Sequence, residues 1–160
     1  MNLRLLGELL DRHGPPLVLF ARQWTTSPED VVQEAFLKLV RLNQPPDDPI
    51  AWLYRVVKNG SLDAAKADRR RKAREVAAHP GRWFVEPDVD GLDAAAAVAG
   101  LSAVPLDERE AIIARLWGEL TFEQIAQVAN CSASTAFRRY EAGIAALRQT
   151  LGVTWPTDPN

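Results

Sequence analysis

The chain has 160 residues, enough for one ordinary domain or two small ones, and 47% of them are apolar, so a core can be buried. The formal net charge is only −2, and the single cysteine, Cys131, excludes an internal disulfide. No apolar run approaches the roughly 18 residues that span a bilayer, and the first residues alternate leucine with charge, unlike a leader peptide. A reducing, cytoplasmic setting without membrane insertion is expected.

In chain order, Leu3, Leu5, Leu6, Leu9 and Leu10 predict a short amphipathic helix that ends near Gly14-Pro15-Pro16, followed by a second apolar stretch over 17–24. A clear helix start follows: Ser27 can cap, Pro28 suits the first helical position, and Glu29 and Asp30 favour the positive end of the dipole. Val31, Val32, Ala35, Phe36, Leu39 and Leu42 then form a buried stripe. Asp30, Gln33, Glu34, Leu37 and Lys38 are left on the outer side. The prolines of 43–49 (NQPPDDP) impose a stiff loop. Helix resumes at Ile50 and continues through Gly60, which weakens it locally by about 1 kcal/mol without forcing a break. The end of this helix is a basic stripe, KADRRRKAR over 66–74, with six bases and one acid and no matching acids at i+4. A phosphate backbone suits that stripe better than solvent alone.

His79-Pro80-Gly81 should end the helix, and the acidic stretch that follows reads as a linker carrying Trp83 and Phe84. An alanine-rich helix over 92–104 precedes another opened by Pro105 and stopped by Gly118. Thr121 to Leu147 then reads as a helix-turn-helix. Thr121 and Gln124 make a capping box, Asn130 tolerates the left-handed turn, and Ser132 caps the second helix. At about 100° per residue, Ala136, Tyr140, Gly143 and Leu147 share one face, leaving Ser134, Phe137, Arg138 and Glu141 on the other. Such a helix suits a DNA major groove, although a plain helical hairpin carries the same pattern. No strand, internal repeat or enzyme constellation is evident, and His13, His79 and Cys131 lack metal-ligand spacing. The prediction is an all-α, non-enzymatic chain without cofactor or metal. It divides into 1–80, a linker with its alanine-rich helix over 81–104, a second lobe over 105–152, and a frayed tail over 153–160.

With both lobes read, the order of motifs resembles the small, extracytoplasmic-function sigma factors of bacterial RNA polymerase, over nearly the whole chain. PEDVVQEAFLKL (28–39) is similar to the family's D-x-x-Q-E-x-F stretch in region 2. AWLYRVVKNGSLDAAKADRRRK (51–72) is similar to its W-L-x-x-x-x-x-N-x-x-x-D-x-x-R helix, and the segment from Leu106 to Arg148 to its region 4. The resemblance implies that Asp30, Gln33, Glu34, Leu37 and Lys38 dock on the β′ clamp helices of core polymerase. It implies that the loop over 43–49 captures a base flipped from the −10 element, which fits the shaped pocket an unpaired base needs. It places Arg55, Lys58 and Asn59 on the melted strand, with Trp52 better read as core, and Arg69, Arg70, Arg71, Lys72 and Arg74 on upstream phosphates. In the second lobe it places Ser132, Ser134, Thr135, Phe137, Arg138 and Arg139 at the −35 major groove. There Arg138 is the best candidate for a base edge and Arg139 for a phosphate.

The partners so implied are promoter DNA and core polymerase, through its β′ clamp helices and β flap, with room for an anti-sigma factor. Glu141 and Ala136 depart from the family's usual residues. The second lobe from Pro105 onward also carries five bases against seven acids, so tethering to polymerase is expected to place it on DNA. A polymerase-independent helix-turn-helix regulator, or an adaptor whose basic helix binds RNA or an acidic protein, fits the same residues less fully.

Overall fold

The computed structural model describes residues 3–76 and 100–152, and every regular element among them is a helix. The first, α1, spans Leu3–Ala21 and runs straight through Pro15 and Pro16. The sequence pattern had it stop there. Each proline removes a helical N–H and crowds the preceding turn, at a cost of about 3 kcal/mol or more. Leu9 upstream and Leu17, Phe20 and Ala21 downstream are all buried on one face. At about 1.5–3 kcal/mol for each large side chain, that burial is of the same size as the penalty. Tertiary packing therefore decides the helix, as it does for most helices in water.

Helix α2 spans Pro28–Arg41 and buries Pro28, Val32, Ala35, Phe36 and Leu39. Ser27 stands at its N-cap but makes no side-chain capping bond; its N–H donates instead to Thr25 Oγ1 at 3.2 Å. After the extended loop, Asp48 caps α3 by accepting from the Ala51 N–H at 3.0 Å, so the helix begins at Pro49, one residue earlier than the pattern suggests. Helix α3 spans Pro49–Val76 without interruption at Gly60, whose lack of a side chain lets α2 approach: a Cβ there would stand 3.0 Å from Val31 Cγ1.

The second set consists of α4 (Leu106–Leu116), α5 (Phe122–Ala129) and α6 (Ala133–Leu151). Helix α4 ends through N–H bonds from Trp117 and Gly118 to the Ile113 carbonyl, both 3.1 Å. The residue that turns the chain left-handed is Glu119, at φ 57°, rather than Gly118. The expected end of α3 near His79, the linker, most of the alanine-rich helix and the C-terminal tail lie outside the described residues.

Helices α1, α2 and α3 pack on one another, as do α4, α5 and α6. The two sets also meet directly, α3 against α5 and α1 against α4. Their apolar residues form one continuous core, in which Leu17, Phe20, Leu53, Tyr54 and Val57 join Ile112, Ile113, Leu120 and Ile125. Phe20 sits at its centre, edge-on to both Trp24 and Tyr54 with ring centroids 4.9 Å apart in each pair. Among the described residues, no helix is long and apolar enough to cross a membrane.

Candidate nucleic-acid interface

The helix-turn-helix is fixed by local bonds that the sequence spells out. Thr121 Oγ1 accepts from the Gln124 N–H at 3.2 Å, and Gln124 Oε1 accepts from the Thr121 N–H at 2.8 Å, closing the capping box. Asn130 adopts the left-handed conformation (φ 53°, ψ 52°), and Ser132 Oγ accepts from the Thr135 N–H at 3.1 Å. On α6 the seam is as expected: Ala136 and Gly143 are buried, with Tyr140 and Leu147 half-buried beside them. Ser132, Ser134, Phe137, Arg138 and Glu141 are exposed opposite, and Thr135 is half-buried.

These outward residues are ordered by one another. Ser132 Oγ lies 3.1 Å from Ser134 Oγ and donates to Thr135 Oγ1 at 2.9 Å, while Arg138 Nη2 donates to Thr135 Oγ1 at 3.3 Å. At the start of a helix, such hydroxyls and a guanidinium present donors where a phosphate or base edge would sit. Two members of the expected set carry structural duties too. Phe137 is 42% exposed, yet its ring packs edge-on against Phe122 at 5.2 Å, and Phe122 in turn meets Tyr140 and the Arg115 guanidinium. Arg139, about 60° from buried Ala136 on the helical wheel, is half-buried and paired with Asp107 of α4 at 3.1 Å.

In the first set, Asp30, Gln33, Glu34, Leu37 and Lys38 all lie exposed on the outer face of α2. Beside them runs an apolar groove of ≈ 330 Å³ between α1 and α2, lined by Leu6, Leu10, Val18, Phe36, Leu37 and Val40 among others. The sequence reading missed it, although leucine at both 9 and 10 is more than one buried face of α1 can use. On α3, Arg55 and Asn59 are exposed and Trp52 is half-buried against the core. The basic stripe over Arg69, Arg70, Arg71, Lys72 and Arg74 is exposed along its whole length. Internal pairing trims it only locally: Arg71 bridges Asp68 at 3.0 Å, and Arg69 and Arg74 touch backbone carbonyls one turn back.

Lys58 does not share the outward face assigned to it with Arg55 and Asn59. At about 100° per residue, Asn59 lies about 40° from Arg55 on one side and Lys58 about 60° on the other, toward buried Tyr54. Its Nζ lies 2.6 Å from Glu110 Oε1 on α4, with the two side chains 17% and 3% exposed. Burial pushes the Glu110 carboxyl above the ordinary carboxylate range, more strongly than Lys58 pulls it down. Sequence reasoning missed Glu110, as it missed Asp48, which accepts from Gln124 Nε2 at 2.7 Å, and Glu119, which pairs with Arg12. Each is a polar residue bonded across the two helical sets, a relation that no local pattern encodes.

Comparison with known proteins places this arrangement. A family description, sigma-70 region 2, matches residues 9–71. The chain is 30% identical over 122 residues to the ECF RNA polymerase sigma factor SigJ of Mycobacterium tuberculosis, covering 68% of this chain and 38% of SigJ. It therefore spans well under half the length of that relative. Among solved structures it is similar to the sigma factor RpoE from Bartonella quintana in complex with the anti-sigma factor NepR. There the TM-score is 0.70 and the identity 23%, over 93% of this chain and 97% of that one. It is also similar to CnrH in complex with the cytosolic domain of CnrY, with a TM-score of 0.61 and 25% identity over 94% of this chain and 90% of that one. Residues 9–71 thus match sigma-70 region 2, and over most of its length the chain is similar to an extracytoplasmic-function sigma factor and shares the fold of solved sigma factors.

Proposed function

We propose that this chain is a non-enzymatic, cytoplasmic promoter-specificity subunit. It docks on core RNA polymerase, helps melt the −10 element and reads the −35 element, with no cofactor of its own. The observation that carries this reading is the succession, along one chain, of three exposed surfaces. A polar outer face on α2, within the region 2 match, and an exposed basic stripe on α3 that begins within it are followed by a helix-turn-helix with a donor-rich outer face.

The division of labour follows from charge and shape. Asp30, Gln33, Glu34, Leu37 and Lys38 take the β′ clamp helices, and the neighbouring apolar groove extends the contact. Arg55, Asn59 and, once released, Lys58 meet the melted strand, beside the flipped-base loop over 43–49. Arg69, Arg70, Arg71, Lys72 and Arg74 neutralise upstream phosphates, an affinity that falls steeply with salt. Arg138 contacts a base edge in the −35 groove with Ser132, Ser134, Thr135 and Phe137 around it, while Arg139 exchanges Asp107 for a phosphate. The helix-turn-helix set also meets the β flap, and its acidic balance makes it depend on that tether for DNA binding. The Bartonella relative was solved with an anti-sigma factor, and a silencing protein partner is part of the same reading.

The test is reconstitution with core polymerase on a promoter library, reading start sites. A defined set of enriched start sites is expected. Replacing Asp30 and Gln33 together by alanine should weaken capture of core polymerase at least tenfold, the equivalent of about 1.4 kcal/mol. No enriched start site, or capture indifferent to that change, overturns the reading in favour of a polymerase-independent regulator.

A further inference from the structure

The contact between the two helical sets uses a residue that DNA would also need. Lys58 is held at 2.6 Å by Glu110, under cover from α4 and 5.9 Å from the centre of the Trp24 ring. Three more contacts close the same seam: Gly118 against the Tyr54 ring, Gln124 donating to Asp48, and the exposed bridge from Arg12 to Glu119. All four join α1–α3 to α4–α6 or to the α4–α5 turn. A carboxylate and a phosphodiester present the same thing to an ammonium group, a singly charged oxyanion with acceptors at hydrogen-bond distance. An ammonium has three donors, but at 17% exposure Lys58 is too covered by α4 to reach a strand phosphate while Glu110 holds it.

We propose that Glu110 is a built-in competitor for the DNA phosphate at Lys58. Strand binding along α3 and release of the helix-turn-helix set from α3 are then one coupled event. Glu110 touches no DNA; it is a positioning residue that acts through Lys58. The pair is almost fully buried, and the desolvation of both ions offsets much of their attraction, as a contact made to be exchanged requires. Coupling is reciprocal: whatever draws the two sets apart raises the affinity of α3 for the strand by the same factor by which the strand favours their separation. The inference rests on the assignment of α3 to melted DNA made above.

The test uses the full chain and a fluorescently labelled single-stranded oligonucleotide, with anisotropy read at fixed low salt. Glu110→Gln keeps the size of the side chain and removes its charge. It should bind about tenfold tighter than the unaltered protein, the factor associated with one charged hydrogen bond. The gain should vanish in a Lys58→Ala background. Equal affinity for Glu110→Gln, or a gain that survives without Lys58, overturns the proposal, because the second result would reflect lost negative charge alone.

A measurement without any change at the pair covers the case in which Glu110→Gln folds poorly. Dyes on Arg41→Cys of α2 and Gln149→Cys of α6, with Cys131→Ser, report the distance between the sets by energy transfer. Oligonucleotide should lower the transfer with the same midpoint as the anisotropy, and transfer that stays constant through saturation overturns the coupling. A chain that drives promoter-dependent transcription yet shows neither effect loses only this proposal. One that shows both effects and supports no transcription loses the sigma-factor reading and keeps the exchange.

Discussion

Gly118 offers the sharpest test of whether the two helical sets share a core. It is buried just beyond α4, and a Cβ built on it would lie 2.8 Å from Tyr54 Cζ and 2.6 Å from the Ala114 carbonyl oxygen, with the Tyr54 hydroxyl closer still. Neither neighbour can yield easily. The carbonyl belongs to the last turn of α4, and the Tyr54 ring is fully buried against Phe20. Overpacking of this kind costs about 1–3 kcal/mol, and two rigid neighbours place Gly118→Ala near the upper end. For a chain of this size that is a fall of about 6–12 °C in Tm.

Tyr54→Phe refines the test, because its hydroxyl is buried without a hydrogen-bond partner among the described residues. Removing it should be close to neutral, and it takes away the nearest of the three clashes. Combined with Gly118→Ala, it should recover about 1 kcal/mol of the loss, a coupling that a double-mutant cycle reads directly. Gly7→Ala in α1 is the control, since a Cβ there meets nothing within 4 Å and the helix should gain about 0.5–1 kcal/mol. Thermal and urea unfolding of the full chain supply the numbers. If Gly118→Ala melts within 2 °C or so of the unaltered protein, by the same scaling the two sets do not meet at Tyr54, and the exchange at Lys58 loses its frame.

Two further outcomes follow from single side chains. His13 is buried, and burial, with the Arg12 guanidinium adding to it, holds its pKa below the ordinary value against a smaller opposing pull from Glu119. The unfolded chain therefore takes up this proton first, so the contribution of His13 is complete above about pH 6.5 and is lost as the pH falls below it, by at most about 1.4 kcal/mol per pH unit. Glu110 works in the opposite sense, gaining its proton in the folded state before an exposed carboxyl would. Urea midpoints at several pH values should thus fall less steeply in His13→Gln than in the unaltered protein, and parallel profiles would refute the assignment. At Asn130, in the left-handed region, alanine should cost about 1–2 kcal/mol while glycine is nearly neutral; equal melting temperatures for the two would mean a different turn.

What was legible in the sequence was whatever a residue settles with its near neighbours. The capping box of Thr121 and Gln124, the left-handed Asn130, the cap at Ser132 and the two faces of α6 are all relations within a turn or two. Local chemistry failed first at Pro15-Pro16, where breakers were outvoted by burial supplied from α2 and α3. It failed again at Ser27, whose capping character went unused, and at Gly118, where the glycine answers to Tyr54 and the left-handed turn falls to Glu119. The outward face of α2 and the basic stripe of α3 are exposed as expected, because no other element among the described residues covers them. Lys58 was misplaced because what covers it comes from 52 residues away.

The same distance changes the meaning of the charge balance in the second set. From the sequence, five bases against seven acids beyond Pro105 look like a repulsion that weakens DNA binding. In the structure, three of those acids are already engaged: Glu110 with Lys58, Glu119 with Arg12 and Asp107 with Arg139. Two of the three hold cations of the first set, and the third holds a cation of the recognition helix itself. The acidity is therefore less a general barrier to DNA than a set of occupants on particular basic groups. It weakens DNA binding while the sets are together and gives back Lys58 when they part. A barrier spread over the surface would respond to salt alone, whereas occupants respond to their own substitution one by one. Glu110→Gln and Glu119→Gln remove the same charge, but only the first uncovers a lysine proposed to meet the strand.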